Sequence, residues 1–266
     1  MESKGFLLFD IDGVIRDVTD SYRLSIKETV YHFCKWRPTI EDIDDLKAEG
    51  CWNNDWDVSL EFIKRRKIYA NEKFEIPNRL NLITIFNNFY FGNETLSKKG
   101  NYKGFIKNER ILINLDFFEK LIKQNILFGF VSGAERSSIN FLFKRIGLID
   151  PTFVAMNEAP DKPDPTGLIL LSQELTANSL GLIKQPIAYV GDTVADVLTV
   201  KNAKRKIPAQ KFISIGIAPP HLHTKSNRSA RSQYEAKLRY VGADYIIQDK
   251  NELFNLIPTL FNNQIH

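Results

Sequence analysis

Five short apolar runs stand out, the first two stopping at Asp10 and Ser132 and the fourth opening onto Gly191-Asp192: Gly5 to Phe9, Leu127 to Val131, Phe153 to Ala155, Ile187 to Val190 and Phe212 to Ile215. A strand buried on both faces has no polar alternation, so each run reads as a strand inside a sheet. Between them, apolar positions recur every three or four residues over Phe117 to Gln124, Ser137 to Ile146 and Thr166 to Leu180, which predicts helices. Strands alternating with helices imply a parallel sheet covered by helices on both faces, an α/β fold.

The stretch from about Ser21 to Tyr102 breaks that alternation. It carries amphipathic helical runs over Tyr22 to Phe33, Ile40 to Ala48, Val58 to Tyr69 and Leu80 to Phe91, and no strand pattern. The expected organisation is therefore a core built from residues 1–18 and 104–266, interrupted by an all-helical insert over 19–103.

Composition narrows the class without naming a function. Of 266 residues, 43% are hydrophobic and 26% charged, which excludes a disordered chain or a fibre. The two cysteines, Cys34 and Cys51, are too few for a disulfide scaffold and lack metal-binding spacing, so they read as reduced thiols in a cytoplasmic protein. The apolar stretch ending at Phe9 is too short for a signal peptide or a membrane span. A net charge of +4 suits an anionic ligand, but the basic residues are interspersed with acidic ones. The densest basic stretch, Lys201 to Lys211, reads as a solvated helix end and loop, so neither nucleic acid nor a membrane is expected as a partner.

Four strand ends carry candidate chemistry. Asp10 and Asp12 follow the first apolar run, with Gly13 next to allow a tight turn. At the C-terminal edge of a parallel sheet, where ligands bind, one carboxylate can attack phosphorus and the other can serve as acid and then base. The hexapeptide alone leaves an acidic surface turn as the lesser alternative. Ser132 and Gly133 follow the second run and offer a hydroxyl and backbone N–H groups to phosphate oxygens, near a helix start whose dipole favours anions. Lys162, in Asp161-Lys162-Pro163-Asp164-Pro165, places an ammonium in a constrained loop. Asp192 follows Gly191 after a further strand, and with Asp10 and the Asp12 carbonyl would give three oxygens to Mg2+. Asp196, one helical turn on, fits a supporting role toward a metal water or Lys162, while helix capping by Asp192 or Thr193 is a structural alternative.

Taken in order, Asp-x-Asp-Gly, Ser, Lys-Pro and Gly-Asp-x-x-x-Asp, each after a strand, resemble the four motifs of the haloacid dehalogenase superfamily. Asp10, Asp12, Ser132, Lys162, Asp192 and Asp196 match those motifs residue by residue. The resemblance implies a Rossmann-like core, an aspartyl-phosphate intermediate on Asp10 and Mg2+ as cofactor. It also implies that the helical insert is the small cap seen in phosphoglycolate phosphatase and beta-phosphoglucomutase relatives. Asp12 points to phosphate chemistry, because members of the dehalogenase type lack it. Val14 stands where many members carry Thr and does not separate the branches.

The expected function is thus Mg2+-dependent hydrolysis of a small phosphorylated metabolite. Phosphoryl return to a sugar, as in a phosphomutase, and a non-catalytic binding protein on the same fold are the rivals. Three places are expected to meet the rest of the substrate. Asn53, Asn54, Asp55 and Trp56 lie in an aromatic and amide-rich connection of the insert, where a Trp start packed into the insert core is an equal alternative. Arg16 lies close enough to the first motif to reach a second anionic group, and reads equally as a surface arginine. His221 and Lys225 lie in a long loop after the strand ending at Ile215, at the same sheet edge.

Overall fold

In the computed structural model, residues 3–49, 52, 54–70, 73–92 and 102–261 are described. The chain divides into two compact units, one of residues 1–17 and 111–266 and the other of 18–110.

The first unit is a six-stranded sheet of order β5-β4-β1-β6-β7-β8, formed by β1 (Gly5–Phe9), β4 (Ile126–Val131), β5 (Phe153–Val154), β6 (Ile187–Gly191), β7 (Phe212–Ile217) and β8 (Tyr245–Ile247). Every neighbouring pair is parallel. Two short strands, β2 (Arg16–Asp17) and β3 (Arg110–Ile111), pair separately. Alternate residues of β1 serve opposite faces: Leu7 and Phe9 join a core with the helices Leu115–Lys123, Arg136–Ile146 and Lys250–Phe261, while Phe6 and Leu8 pack with Thr166–Leu175 and Val194–Lys206. Helices on both faces explain why β1 reads as an unbroken apolar run. This is a Rossmann-like α/β core.

The strand order sets the site. From β1 the chain proceeds to β4 and β5 on one side, then returns to build β6, β7 and β8 on the other. Such a reversal opens a crevice at the C-terminal ends of the central strands, the usual ligand position in an open α/β sheet. Asp10, Ser132 and Asp192 directly follow β1, β4 and β6. Phe9, just before Asp10, is fixed by Phe117, Phe118 and Phe130 at ring-centroid distances of 6.0, 5.9 and 6.0 Å.

One expected helix is shorter than its apolar pattern. The run from Thr166 stops at Leu175, because Ala177 and Asn178 turn left-handed at φ 48° and 61°. Leu180 still packs against the core, which gave the sequence its continued helical look. Strand β8 and the helices Arg228–Val241 and Lys250–Phe261 complete the unit.

The second unit contains the helices Tyr22–Cys34, Ile40–Ala48, Asp55–Ala70 and Arg79–Tyr90 and the short 3-10 turn Phe105–Asn108. It runs past the expected end at residue 103, since that turn and Glu109 belong to it. The buried Glu109 carboxylate accepts hydrogen bonds from Ser21 Oγ and Tyr90 Oη, both at 2.8 Å. Tyr22 stacks on Tyr90 at 4.3 Å. Cys34 is a buried free thiol, and Cys51 lies outside the described residues.

Candidate active site

The first carboxylate is held by main chain. Asp10 N–H donates to the Val190 carbonyl at 2.8 Å, continuing the pairing of β1 with β6. The chain then folds back, with Ile15 and Arg16 N–H groups donating to the Ile11 carbonyl and Gly13 N–H to the Arg16 carbonyl. Gly13 adopts φ +81°, and a Cβ there would fall 1.9 Å from Asp192 Oδ2. Only glycine meets both demands at this turn.

Beyond β4, Ser132 is buried and its Oγ accepts from Ala134 N–H at 3.1 Å. Gly133 is exposed, with nothing within 4 Å of the place a side chain would begin. Ser132, Gly133, Asp161 and Lys162 border one small cavity of about 30 Å³. The loop carrying Lys162 is tied down on its far side, where Asn202 Nδ2 donates to the Pro163 carbonyl at 3.0 Å.

Lys162 joins two strand ends. Its Nζ lies 2.8 Å from Asp10 Oδ1 and donates to Asp196 Oδ1 at 2.6 Å. Asp196 uses its other oxygen to close a capping box, in which Thr193 Oγ1 accepts from Asp196 N–H and Asp196 Oδ2 accepts from Thr193 N–H at 2.9 Å. One carboxylate thus both caps the helix Val194–Lys206 and meets Lys162. Tyr189 Oη lies 3.1 Å from Asp196 Oδ1 and 3.3 Å from the Val131 carbonyl, and its ring lies 5.5 Å from Lys162 Nζ. Sequence reasoning missed Tyr189, although a hydroxyl in an otherwise aliphatic strand, two residues before Gly191, was a usable signal.

Burial and mutual repulsion dominate the electrostatics. Burial pushes the Asp10 carboxyl up to about 7, against the pull of Lys162, with Asp196 and Asp12 adding to the rise. Asp192 is raised well above the ordinary carboxyl range by burial and then by Asp10 and Asp196. Burial also opposes the charge of Asp196, but Lys162 and the Thr193 hydrogen bonds outweigh it and hold that carboxyl low. Burial likewise works against the Lys162 ammonium, yet Asp10 and Asp196 keep it protonated well above its usual range.

The donor set fits a hard cation. Asp10, Asp192 and Asp196 bring carboxylate oxygens within 4.8 Å of one another. Asp192 Oδ1 is buried with no hydrogen-bond partner among the described residues. A buried anionic oxygen without a partner is costly unless a cation meets it. Asp196 is the weaker ligand of the three, since both its oxygens are already engaged by Lys162 and Thr193. Asp10 and Asp192 are the better donors, and oxygen-only ligation suits Mg2+.

The remaining expected residues lie on other segments of the chain. Arg16 was expected to reach toward a second anion or to lie on the surface; its side chain is instead fully buried. Nε donates to Asp12 Oδ1 at 2.6 Å and Nη1 to Ser138 Oγ at 2.7 Å. In the helical unit, Asn54 Oδ1 accepts from the Trp56 and Asp57 N–H groups and so caps the helix Asp55–Ala70. Asp55 Oδ1 accepts from Lys47 Nζ at 2.6 Å, and Arg79 lies 5.9 Å from the Trp56 ring. Asn53 lies outside the described residues. The loop after β7 folds on itself, with His223 Nε2 2.7 Å from the Ala218 carbonyl and Asn227 Nδ2 donating to the His221 carbonyl at 2.8 Å. Lys225 is exposed.

Comparison with known proteins meets this geometry. Residues 6–204 match the model of the haloacid dehalogenase-like hydrolases, a span that holds all four strand ends. The chain is 28% identical over 259 residues to an imidazoleglycerol-phosphate dehydratase of Phytophthora nicotianae, covering 96% of this chain and 52% of that protein. It thus spans about half the length of that curated relative. Among solved structures, it resembles phosphatase Tt82 from Thermococcus thioreducens at a TM-score of 0.58 and 23% identity, covering 88% of this chain and 99% of that one. A HAD family hydrolase from Deinococcus radiodurans R1, solved with bound phosphate and sodium, gives 0.62 at 15% identity, covering 96% and 95%. At these identities the two structures bear on the fold, whereas the family match spans most of the sequence. On that match and the strand-end chemistry it covers, the chain belongs to the haloacid dehalogenase-like hydrolase family.

Proposed function

We propose that the chain is a Mg2+-dependent phosphatase acting on a small phosphorylated metabolite through an aspartyl phosphate on Asp10. The observation that carries this reading is the buried Asp10 to Lys162 ion pair beside the partnerless Asp192 Oδ1. An acidic surface turn has no reason to bury three carboxylates around one ammonium.

In this mechanism an Asp10 carboxylate oxygen attacks phosphorus in line as the bond to the leaving oxygen breaks. Asp12 gives its proton to the leaving oxygen. It then takes a proton from the water that attacks the aspartyl phosphate, which releases inorganic phosphate and frees Asp10. Lys162 and the Ser132 hydroxyl, with the Gly133 N–H, offset the charge on the phosphoryl oxygens. Asp10, the Asp12 carbonyl and Asp192 would hold Mg2+, which when bound supplies positive charge that keeps the carboxylates ionised and neutralises the phosphoryl group. Asp196 holds Lys162 in place. The helical unit is assigned the role of the family's cap, with Asn54, Asp55 and Trp56 of that unit and His221 and Lys225 of the core selecting the rest of the substrate. No helix among the described residues is long and apolar enough to cross a membrane. A cytoplasmic location belongs to the proposal on a separate ground, the reading of Cys34 and Cys51 as reduced thiols.

The sequence relative favours one substrate class. Imidazoleglycerol phosphate is a phosphomonoester carrying an imidazole ring, and nearly all of this chain aligns with half of a protein named for acting on it. We therefore extend the proposal to imidazole-bearing phosphomonoesters.

The test is phosphate release from a panel of phosphomonoesters with Mg2+. The expected result is turnover that disappears in Asp10→Asn and a higher kcat/KM for imidazole-bearing members than for glycerol phosphates. Full activity of Asp10→Asn, or transfer to a second sugar position without free phosphate, sinks the phosphatase reading. Equal kcat/KM across the panel removes only the substrate class.

A further inference from the structure

Arg16 is among the largest fully buried side chains of the molecule and is charged. Such a group is tolerated in an interior only where its donors meet acceptors. Two of its nitrogens do so in different directions: Nε to Asp12 Oδ1 at 2.6 Å and Nη1 to Ser138 Oγ at 2.7 Å. Ser138 is itself fully buried and sits in the first turns of the helix Arg136–Ile146, which follows the Ser132 strand end. Main chain fixes the same segment, since the Arg16 carbonyl accepts from Gly13 N–H at 2.8 Å. The Asp12 side chain remains 28% exposed, while Arg16 has no exposed surface. One end of the contact is anchored in the core and the other faces solvent.

We propose that Arg16 is a positioning residue for Asp12: anchored by Ser138, its guanidinium holds Asp12 Oδ1 and so directs the other oxygen of that carboxylate to the leaving group. The inference rests on the phosphatase reading above. A planar guanidinium can serve two acceptors at fixed angles, which a lysine ammonium on a flexible stem cannot reproduce. A carboxylate free to rotate would spend less time in line with the oxygen it must protonate, and small misplacements of this kind are costly. Arg16 does not touch substrate in this scheme; it acts through Asp12.

The prediction separates positioning from plain structural support by leaving group. In kcat/KM, which reports through transfer to Asp10, an alkyl phosphate needs proton donation and p-nitrophenyl phosphate does not. Arg16→Lys is expected to lower kcat/KM for an alkyl phosphate at least about 10-fold more than for p-nitrophenyl phosphate, a fraction of what general acid catalysis contributes. Ser138→Ala, which removes the acceptor of Arg16 Nη1, is expected to shift the same ratio in the same direction by about 3-fold or more, and decides the matter if Arg16→Lys does not fold. Equal losses on both esters, or an unchanged ratio in a folded variant, overturn the inference while leaving the phosphatase reading standing. A wild-type protein that releases phosphate from neither ester overturns both.

Discussion

Lys162 Nζ stands 2.8 Å from Asp10 Oδ1, and both side chains are largely withdrawn from solvent. A pair in that setting ties the two groups into one electrostatic unit, so neither is replaceable alone. Removing the ammonium leaves Asp10 facing Asp196 and Asp12 without its counter-charge. Lys162→Met is expected to lower kcat by about 100-fold or more, as loss of a single charge-stabilising group does, with the fold intact by circular dichroism. Activity within a few-fold of wild type contradicts the assigned role.

Asp192 gives a prediction in stability. Its carboxyl and that of Asp10 are both raised in the folded protein. From about pH 4 upward the unfolded chain has shed protons that the native state still holds, so each group makes the metal-free protein less stable as pH rises. The Asp10 contribution levels off near its folded value of about 7. Asp192→Asn removes one such group, and its thermal midpoint in chelator is expected to exceed that of wild type by a margin that grows with pH. Each kcal/mol relieved is worth about 2–4 °C in a chain of this size. A margin that shrinks with rising pH has the wrong sign for this account.

Metal binding should reverse that penalty. A cation that meets Asp192 Oδ1 binds the native state alone, and stabilises it by roughly 2.7 kcal/mol at a hundredfold excess over Kd. Differential scanning of the chelated protein with added Mg2+ is expected to show a concentration-dependent rise that is lost in Asp192→Asn. Hydrolysis of p-nitrophenyl phosphate should be abolished by chelation and restored by Mg2+.

Asn54 tests the helical unit. Its side chain caps Asp55–Ala70, so Asn54→Ala is expected to cost about 1 kcal/mol of stability. If Asn54, Asp55 and Trp56 also select substrate, the Asn54→Ala and Asp55→Ala variants will alter kcat/KM between phosphomonoesters beyond what that loss explains. Identical rankings across a panel would confine these residues to structure.

The parallel core was legible because strands buried on both faces leave unbroken apolar runs, as in Gly5–Phe9 and Ile187–Gly191. Strand β8 was not, for its first residue Tyr245 is exposed and its three residues at the sheet edge make too short a run. The acidic strand ends were visible as residue types at strand exits. Side-chain direction was not: the turn at Gly13 sends Arg16 inward to Asp12 and Ser138, a choice that spacing alone does not encode. The hydroxyl of Tyr189 was hidden for a related reason, since an aromatic in a core strand reads first as packing.

Gly13 reaches further than the turn it makes. Because a methyl group there would meet Asp192 across the crevice, the hydrogen at that position acts as a spacer gauge between two strand ends 179 positions apart in the chain, 192 less 13. In a random mutant library, position 13 should tolerate as little as Asp10 does. Its failures should bear a distinct signature, impaired cation uptake with the attacking carboxylate still in the chain, so a residue with no functional group would score as part of the metal site.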